Sequence, residues 1–430
     1  MGGPGNFAGP ASFLGRFTAM TAVATALAVA LTLALIAERW PSRSMLLAVP
    51  TWFMGLIAGE LSLPLALASA AAIAVLAVLG ALKDAAGMIA LIVIALAVVR
   101  LVWLTQLQRR ARQELEEALR PLEPYKAGSK TPAILRWIPP LMLFRRGVRH
   151  HRRLVYARRG RWRLKLDVYK PAASTPNEER RPAIIHIHGG GWIGGSRHEQ
   201  GILLLNHLAA NGWVGFNADY RLGPWARWPA QIVDVKTAIA WVREHAERFG
   251  INPGFIAITG GSAGGHLAAL AALTAGDPVF QPGFEEADTS VQAAVAFYGW
   301  YDMTDNESIH MPWVVSRILE GMIFRAKRTT DMTPFTQASP LYRVHEQAPP
   351  FFVLHGEGDS LIDVREARSF VRRLRELSRA EALYAELSAA QHAFDIVPSL
   401  RSGQAIEAVE RFLSSVYARR ATVPADTSLA

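Results

Sequence analysis

Cysteine is absent from all 430 residues. Disulfides, thiolate metal sites and cysteine nucleophiles are therefore excluded, while the redox compartment stays open. Acidic residues are scarce at one end. Residues 1–165 hold 22 Lys and Arg against 7 Asp and Glu, and the remainder holds 24 against 29, so the net +10 is +15 followed by −5. Such asymmetry points to a membrane surface at least as readily as to nucleic acid. No zinc-finger spacing and no RNA-binding sheet motif accompanies the basic end, so nucleic acid is not an expected partner. His186 and His188 form a His-x-His pair with no nearby carboxylate or third histidine, and neither a metal nor any other cofactor is expected. Internal repeats and long low-complexity stretches are also missing.

Hydrophobic residues make up 51% of the chain and the mean hydropathy is +0.16. The excess sits in the N-terminal quarter. Residues 18–37 carry no charge, and an apolar run of ~20 residues spans a bilayer core as a helix. A signal peptide would have ~7–15 apolar residues and no further apolar segments. Here residues 45–59, 61–82 and 85–105 come after it, broken by Glu60, marked by Pro50 and Pro64, and charged late at Arg100, which is placed to snorkel. A soluble bundle would show polar faces at helical period, and these stretches have almost none. Residues 1–105 are read as a multi-pass transmembrane region of four spans, with three as the alternative. Arg109, Arg110 and Arg112 after the last span place the C-terminal three-quarters of the chain in the cytoplasm, although Arg39 and Arg43 run against that rule.

Residues 106–160 read as a basic linker. Ten Lys and Arg crowd residues 145–165, after Trp137, Leu141, Met142, Leu143 and Phe144. An apolar patch ahead of a basic run suits anionic lipid headgroups, at ~1 kcal/mol per basic residue. A solvated basic face is the alternative. Residues 421–430 read as a disordered tail.

From residue 161 to 420 the pattern changes to short apolar strands alternating with helices. Strands are expected at 161–169, 183–188, 213–219, 255–259, 291–298, 350–355 and 382–387. Helices are expected at 230–248, 263–274, 363–378 and 403–417. Ile232, Val235, Ala238, Ile239 and Val242 share one face of the first of these. This alternation predicts an α/β fold, a mostly parallel sheet covered by helices on both faces. Such sheets carry their sites at the carboxyl ends of strands.

Three features lie at such ends. Gly260-Gly261-Ser262-Ala263-Gly264 fits G-x-S-x-G between a strand and a helix. That turn exposes the serine hydroxyl as a nucleophile, and the flanking glycines let it close. A phosphate-binding helix start is the alternative, but no Gly-Lys-Ser/Thr end or G-x-G-x-x-G stands here. His188-Gly189-Gly190-Gly191-Trp192 comes after an earlier strand. Glycines let backbone N–H groups approach an oxygen that becomes negative, and the N–H of Ala263 would add a further donor. Each donor is worth ~2.7–4 kcal/mol in a transition state. The base and acid are assigned by order, Ser then acid then His. Of twelve histidines, His392 alone lies downstream of the candidate acids. Among Glu357, Asp359 and Asp363, Asp359 is best placed, Glu357 points away, and Asp363 suits a helix N-terminus.

These residues resemble the hormone-sensitive-lipase-like branch of bacterial α/β-hydrolase esterases over about 160–418. Asp219-Tyr220-Arg221-Leu222-Gly223-Pro224, Trp228-Pro229-Ala230 and Asp234 extend the match. With the apolar N-terminus, the chain is similar to the membrane-associated Lip-type carboxylesterases of mycobacteria. The resemblance implies an α/β-hydrolase fold, oxyanion donors at Gly190, Gly191 and Ala263, and hydrolysis of short- to medium-chain or lipophilic esters. Two departures stand out. Gly261 occupies a position that is acidic in many relatives. The basic linker replaces the usual N-terminal cap, and residues 303–345, with Met311, Trp313, Ile318, Met322, Ile323 and Phe324, are expected to form the lid, or else to be core. His-Gly-Gly-x-Trp also resembles the formylkynurenine formamidase signature, which makes an amidase the second reading, though those enzymes are soluble. A non-enzymatic receptor on a hydrolase fold, as in plant gibberellin receptors, is the third, and such proteins usually lose a member of the Ser262–Asp359–His392 set.

Overall fold

The computed structural model describes residues 10–122, 147–172 and 180–421. The apolar patch at 137–144, Arg145, Arg146 and the tail at 422–430 lie outside these residues. The chain divides into two units, Met1–Arg109 and Arg110–Ala430.

The first unit is helical: α1 Pro10–Arg39, α2 Ala48–Glu60, α3 Ser62–Val78 and α4 Ala85–Leu119, the last running into the second unit. The apolar segments expected to span a membrane are thus all helices, but they are not equivalent. Two helical stretches, Ala19–Arg39 and Ala85–Leu122, are long and apolar enough to cross. The 13 residues of α2 reach only ~20 Å, short of a ~30 Å hydrocarbon core. α2 and α3 meet at a bend of 82°, so the pair counts as at most one span. Polar groups gather at that bend. Gln108 Nε2 donates to the Glu60 carbonyl at 3.0 Å and to Ser62 Oγ at 3.1 Å. Ser62 Oγ also bonds Thr105 Oγ1 at 2.9 Å. These contacts satisfy backbone carbonyls that the break would otherwise strand in apolar surroundings. Arg100, expected to snorkel, has partners within the unit. It pairs with Glu38 of α1 at 2.8 Å and lies over the Trp103 ring at 4.0 Å, so its charge is met inside the unit. Val29, Leu33, Ile92, Leu96 and Val99 face outward, the reverse of a soluble bundle.

The second unit is an eight-stranded sheet in the order β1-β2-β4-β3-β5-β6-β7-β8. Its strands are β1 Val148–Arg159, β2 Trp162–Pro171, β3 Arg181–Ile187, β4 Val214–Ala218, β5 Ile251–Gly261, β6 Ala293–Phe297, β7 Phe351–Gly356 and β8 Ala382–Leu387. β1 and β2 pair antiparallel, as do β2 and β4, and the remaining pairs are parallel. The segment 148–159, expected as the end of the basic linker, is therefore an edge strand of the sheet. Its arginines hide an alternation in which Leu154 and Tyr156 face the core. Long basic side chains on an edge strand also guard it against pairing with other chains.

The helices are α5 Ile202–Ala210, α6 Ala230–Glu244, α7 Ala246–Phe249, α8 Ala263–Leu273, α9 Thr333–Ala338, α10 Pro340–Arg343, α11 Arg365–Leu377 and α12 Leu400–Ala421. A π-helix, Val314–Phe324, lies within the 303–345 segment. Spacing explains which faces are buried. α11 hides Ala367, Phe370, Val371 and Leu374 at helical period. α6 hides Ile232, Val235, Ala238, Ile239 and Val242, the face expected from sequence. In the 303–345 segment, Met303, Val315, Leu319, Ile323, Phe324 and Phe335 belong to the main core, while Met322 is exposed.

The sheet order places the site. β3 passes to β4 on one side and the chain then returns to β5 on the other. β3 and β5 are neighbours at this switch point, in register His186 with Thr259 and Ile187 with Gly260. A crevice outside the carboxyl ends of the strands opens where the winding reverses. The glycine run after β3 and the serine turn after β5 both stand there.

Candidate active site

Ser262 sits between β5 and α8 at φ 58° and ψ −123°, a backbone region that non-glycine residues rarely occupy. Its amide donates to the Phe297 carbonyl at 3.0 Å. The strained turn is thus held by the end of β6, as expected of a nucleophile elbow.

Gly190 and Gly191 both have positive φ, +118° and +60°. The Gly190 carbonyl accepts from Ile193 and Gly194, closing a tight turn. The Gly189 amide is taken by Gln200 Oε1 at 2.6 Å. Among the described residues, the amides of Gly190 and Gly191 have no such acceptor. The Ala263 amide opens α8, where the first N–H groups lack intrahelical partners. A Cβ on Gly189 would lie 3.0 Å from Ser262 Cβ, so the glycine turn abuts the serine.

Asp359 and His392 are joined. His392 Nδ1 donates to Asp359 Oδ2 at 2.6 Å, which leaves Nε2 as the basic nitrogen. Asp359 Oδ1 accepts from the amides of Leu361 and Ile362 at 2.9 and 2.8 Å. A second histidine also reaches the carboxylate. His355 Nε2 lies 3.1 Å from Asp359 Oδ2 and 3.0 Å from the Ile362 carbonyl. Burial pushes the Asp359 carboxyl up, but the charge of His392 and the hydrogen bonds of His355 and His392 outweigh it. They hold the carboxyl well below the usual carboxylate range. Gln391 Oε1 ties the two loops together, accepting from Ser360 N at 2.8 Å and His392 N at 2.8 Å. The alternatives to Asp359 are engaged elsewhere. Asp363 pairs with Arg365 at 2.8 Å, and Glu357 Oε2 accepts from the Ala389 amide at 3.4 Å.

Tyr298 links the two halves of the site. Its ring stands 4.6 Å from that of His392, and its hydroxyl would be 2.7 Å from a Cβ on Gly261. Tyr298 therefore stands between the His392 ring and the turn that carries Ser262. Sequence reading missed His355, Gln391 and Tyr298. Only His355 left a trace, at the end of the strand that carries the acid.

The probable carboxylic ester hydrolase LipM of Mycobacterium tuberculosis is 50% identical over 237 residues, 55% of this chain and 55% of LipM. Esterase LipC of the same organism is 44% identical over 289 residues, 64% of this chain and 69% of LipC. The chain belongs to the hormone-sensitive-lipase-like α/β-hydrolase esterases. It spans little more than half of LipM's length. The family model described as BD-FAE matches residues 166–374. Thermogutta terrifontis esterase 2, solved phosphonylated by sarin, is 27% identical with a TM-score of 0.54, covering 61% of this chain and 94% of that one.

Of the outlying motifs, Tyr220 buttresses the start of the glycine turn. Tyr220 stacks on His188 at 4.4 Å and donates to its carbonyl at 3.1 Å. Arg221 forms a two-pronged pair with buried Asp234 at 2.7 and 2.8 Å. Trp192 Nε1 donates to His266 Nδ1 at 3.2 Å, and His266 Nε2 donates to the Ala338 carbonyl at 2.7 Å. The His-x-His pair serves structure too: His186 bonds Asn217 at 2.9 Å and His188 bonds the Gly189 carbonyl at 2.8 Å.

Proposed function

We propose that the protein is a membrane-anchored serine carboxylesterase acting on short- to medium-chain or lipophilic esters. The observation that carries the reading is the 2.6 Å bond from His392 to buried Asp359, with Tyr298 between the His392 ring and the turn of the strained Ser262. His392 Nε2 takes the Ser262 proton as Oγ attacks the ester carbonyl carbon. The oxygen that becomes negative is met by the amides of Gly190, Gly191 and Ala263. The tetrahedral intermediate collapses, the C–O bond to the alcohol breaks, and His392 returns the proton to the leaving alkoxide. Water then enters, gives a proton to His392 and attacks the acyl-enzyme. The acid leaves and Ser262 recovers its proton. Asp359 holds the imidazole tautomer and stabilises its charged form throughout. The relatives' printed names, esterase and carboxylic ester hydrolase, support the same chemistry.

The anchor rests on α1 and α4, with the bent α2–α3 pair as a third crossing. The arginines after residue 108 favour a cytoplasmic catalytic unit, and the basic residues near 145–165 favour anionic lipid. Hydrolysis of a p-nitrophenyl ester series by full-length protein in detergent, beside Ser262→Ala, tests the reading. Removing a triad serine can cost ~10⁶-fold in turnover. An active wild type with an inactive variant is expected. No ester cleavage by folded wild type would overturn the assignment.

A further inference from the structure

Tyr298 is the first residue after β6, at φ +37°, with its amide bonded to the Leu354 carbonyl at 2.7 Å. The side chain is buried and inclined at 57° to the His392 ring, 4.6 Å away. Its hydroxyl donates to Asp395, three residues beyond His392. Position 261, directly before the nucleophile, opens onto the same hydroxyl. A Cβ there would stand 2.7 Å from Tyr298 Oη and 2.9 Å from Cε2, closer than real Cβ atoms approach. Only glycine leaves the tyrosine this space, which gives the departure at Gly261 a physical reason. The hydroxyl stays protonated because burial, with the neighbouring Asp395 charge, raises its pKa well above the ordinary tyrosine range.

The hydrogen bond to Asp359 fixes the Nδ1 corner of His392, and the direction of Nε2 then depends on the tilt of the ring about that corner. A neighbouring ring packed at a tilt against the imidazole limits that angle, and a ring pinned at its far end limits it best. We propose that Tyr298, anchored by Asp395 and accommodated by Gly261, is a positioning residue that aims His392 Nε2 at Ser262. This deepens the Ser262–His392–Asp359 reading and rests on it. The role belongs to geometry, so any acceptor at position 395 should serve.

The test is steady-state kinetics of the full chain in detergent on p-nitrophenyl butyrate, with melting midpoints to verify folding. Misaiming a catalytic group by about 1 Å costs up to about 100-fold, and loss of the anchor alone should cost about tenfold in kcat. Tyr298→Phe and Asp395→Ala should each show that loss with KM changed less than about twofold. Asp395→Asn, which keeps an acceptor oxygen, should stay near wild type. The double variant Tyr298→Phe/Asp395→Ala should be no slower than the slower single one, because both remove one anchor. A purely structural tyrosine would lower the midpoint and spare kcat per folded molecule, and that result overturns the proposal. Losses that multiply in the double variant, or that fall on KM, overturn it as well. Should Tyr298→Phe fail to fold, Asp395→Ala and Asp395→Asn decide the matter from the other end of the bond. A folded wild type that cleaves no ester, or an active Ser262→Ala, would instead remove the triad reading on which the proposal stands.

Discussion

Replacing Gly264 by alanine should cripple the site, although alanine is the better helix former. Gly264 lies in the first turn of α8, two residues after Ser262. An added Cβ would stand 2.0 Å from the Ile187 carbonyl oxygen and 2.7 Å from that of His188. Both atoms are backbone, so no side chain can swing aside. Ordinary contact begins at 3.4 Å, and the helix must retreat from β3 by about 1.4 Å or the strand must buckle. β3 leads into the glycine turn and α8 carries the serine, so the retreat pulls the nucleophile away from its oxyanion donors. A displacement of ~1 Å costs up to ~100-fold in rate, and overpacking costs ~1–3 kcal/mol in stability. At ~2–4 °C per kcal/mol for a unit of this size, the melting midpoint should fall by several degrees. Gly403 in α12 is the matched control, because a Cβ there meets nothing within 4 Å. Gly403→Ala should gain ~0.5–1 kcal/mol from helix propensity and leave the rate unchanged. Melting curves and initial rates on p-nitrophenyl butyrate read both variants. A Gly264→Ala protein with wild-type midpoint and wild-type rate would refute the close-approach argument.

Other perturbations have equally definite signs. Asp359→Asn should lower kcat by ~10⁴-fold, the effect of losing the carboxylate that sets the imidazole tautomer. Asp363→Asn should leave the rate within about twofold, since that carboxylate pairs with Arg365. His186 and His266 are buried neutral, and burial lowers both from 6.5 to about 4. Their contribution to stability is complete above pH ~6.5 and is lost as pH falls toward ~4, at ~1.4 kcal/mol per unit and ~2 kcal/mol each by pH 5. The melting midpoint should therefore drop between pH 7 and pH 5, and His266→Gln should shrink that drop. An equal drop in His266→Gln would contradict the assignment of His266. Asp359 adds a separate loss below pH ~4, because its folded carboxyl lies under the ordinary value.

Much of the candidate site is legible because its signals are local or ordered along the chain. The Gly260–Gly264 turn announces itself by standing between an apolar strand and a small-residue helix. His392 and Asp359 are picked out by chain order, and the structure joins them at 2.6 Å. The residues that stayed hidden depend on contacts between distant parts of the chain. His355 and Tyr298 look like ordinary strand-end residues until the sheet brings β6, β7 and the 390s loop together. β1 was obscured because its arginines outweigh a sparse alternation of apolar positions. Arg100 reads as a snorkelling residue in isolation, and only the helical unit supplies Glu38 as its partner. The 82° bend between α2 and α3 leaves only Glu60 and Pro64 as marks in an otherwise apolar run.

The most direct test of the central claim is covalent. Full-length protein is treated with a p-nitrophenyl organophosphate, and the adduct is located by peptide mapping. The account predicts one adduct per chain, on Ser262, formed far more slowly in His392→Ala and absent in Ser262→Ala. An adduct on another residue, or labelling at the wild-type rate in His392→Ala, would contradict it.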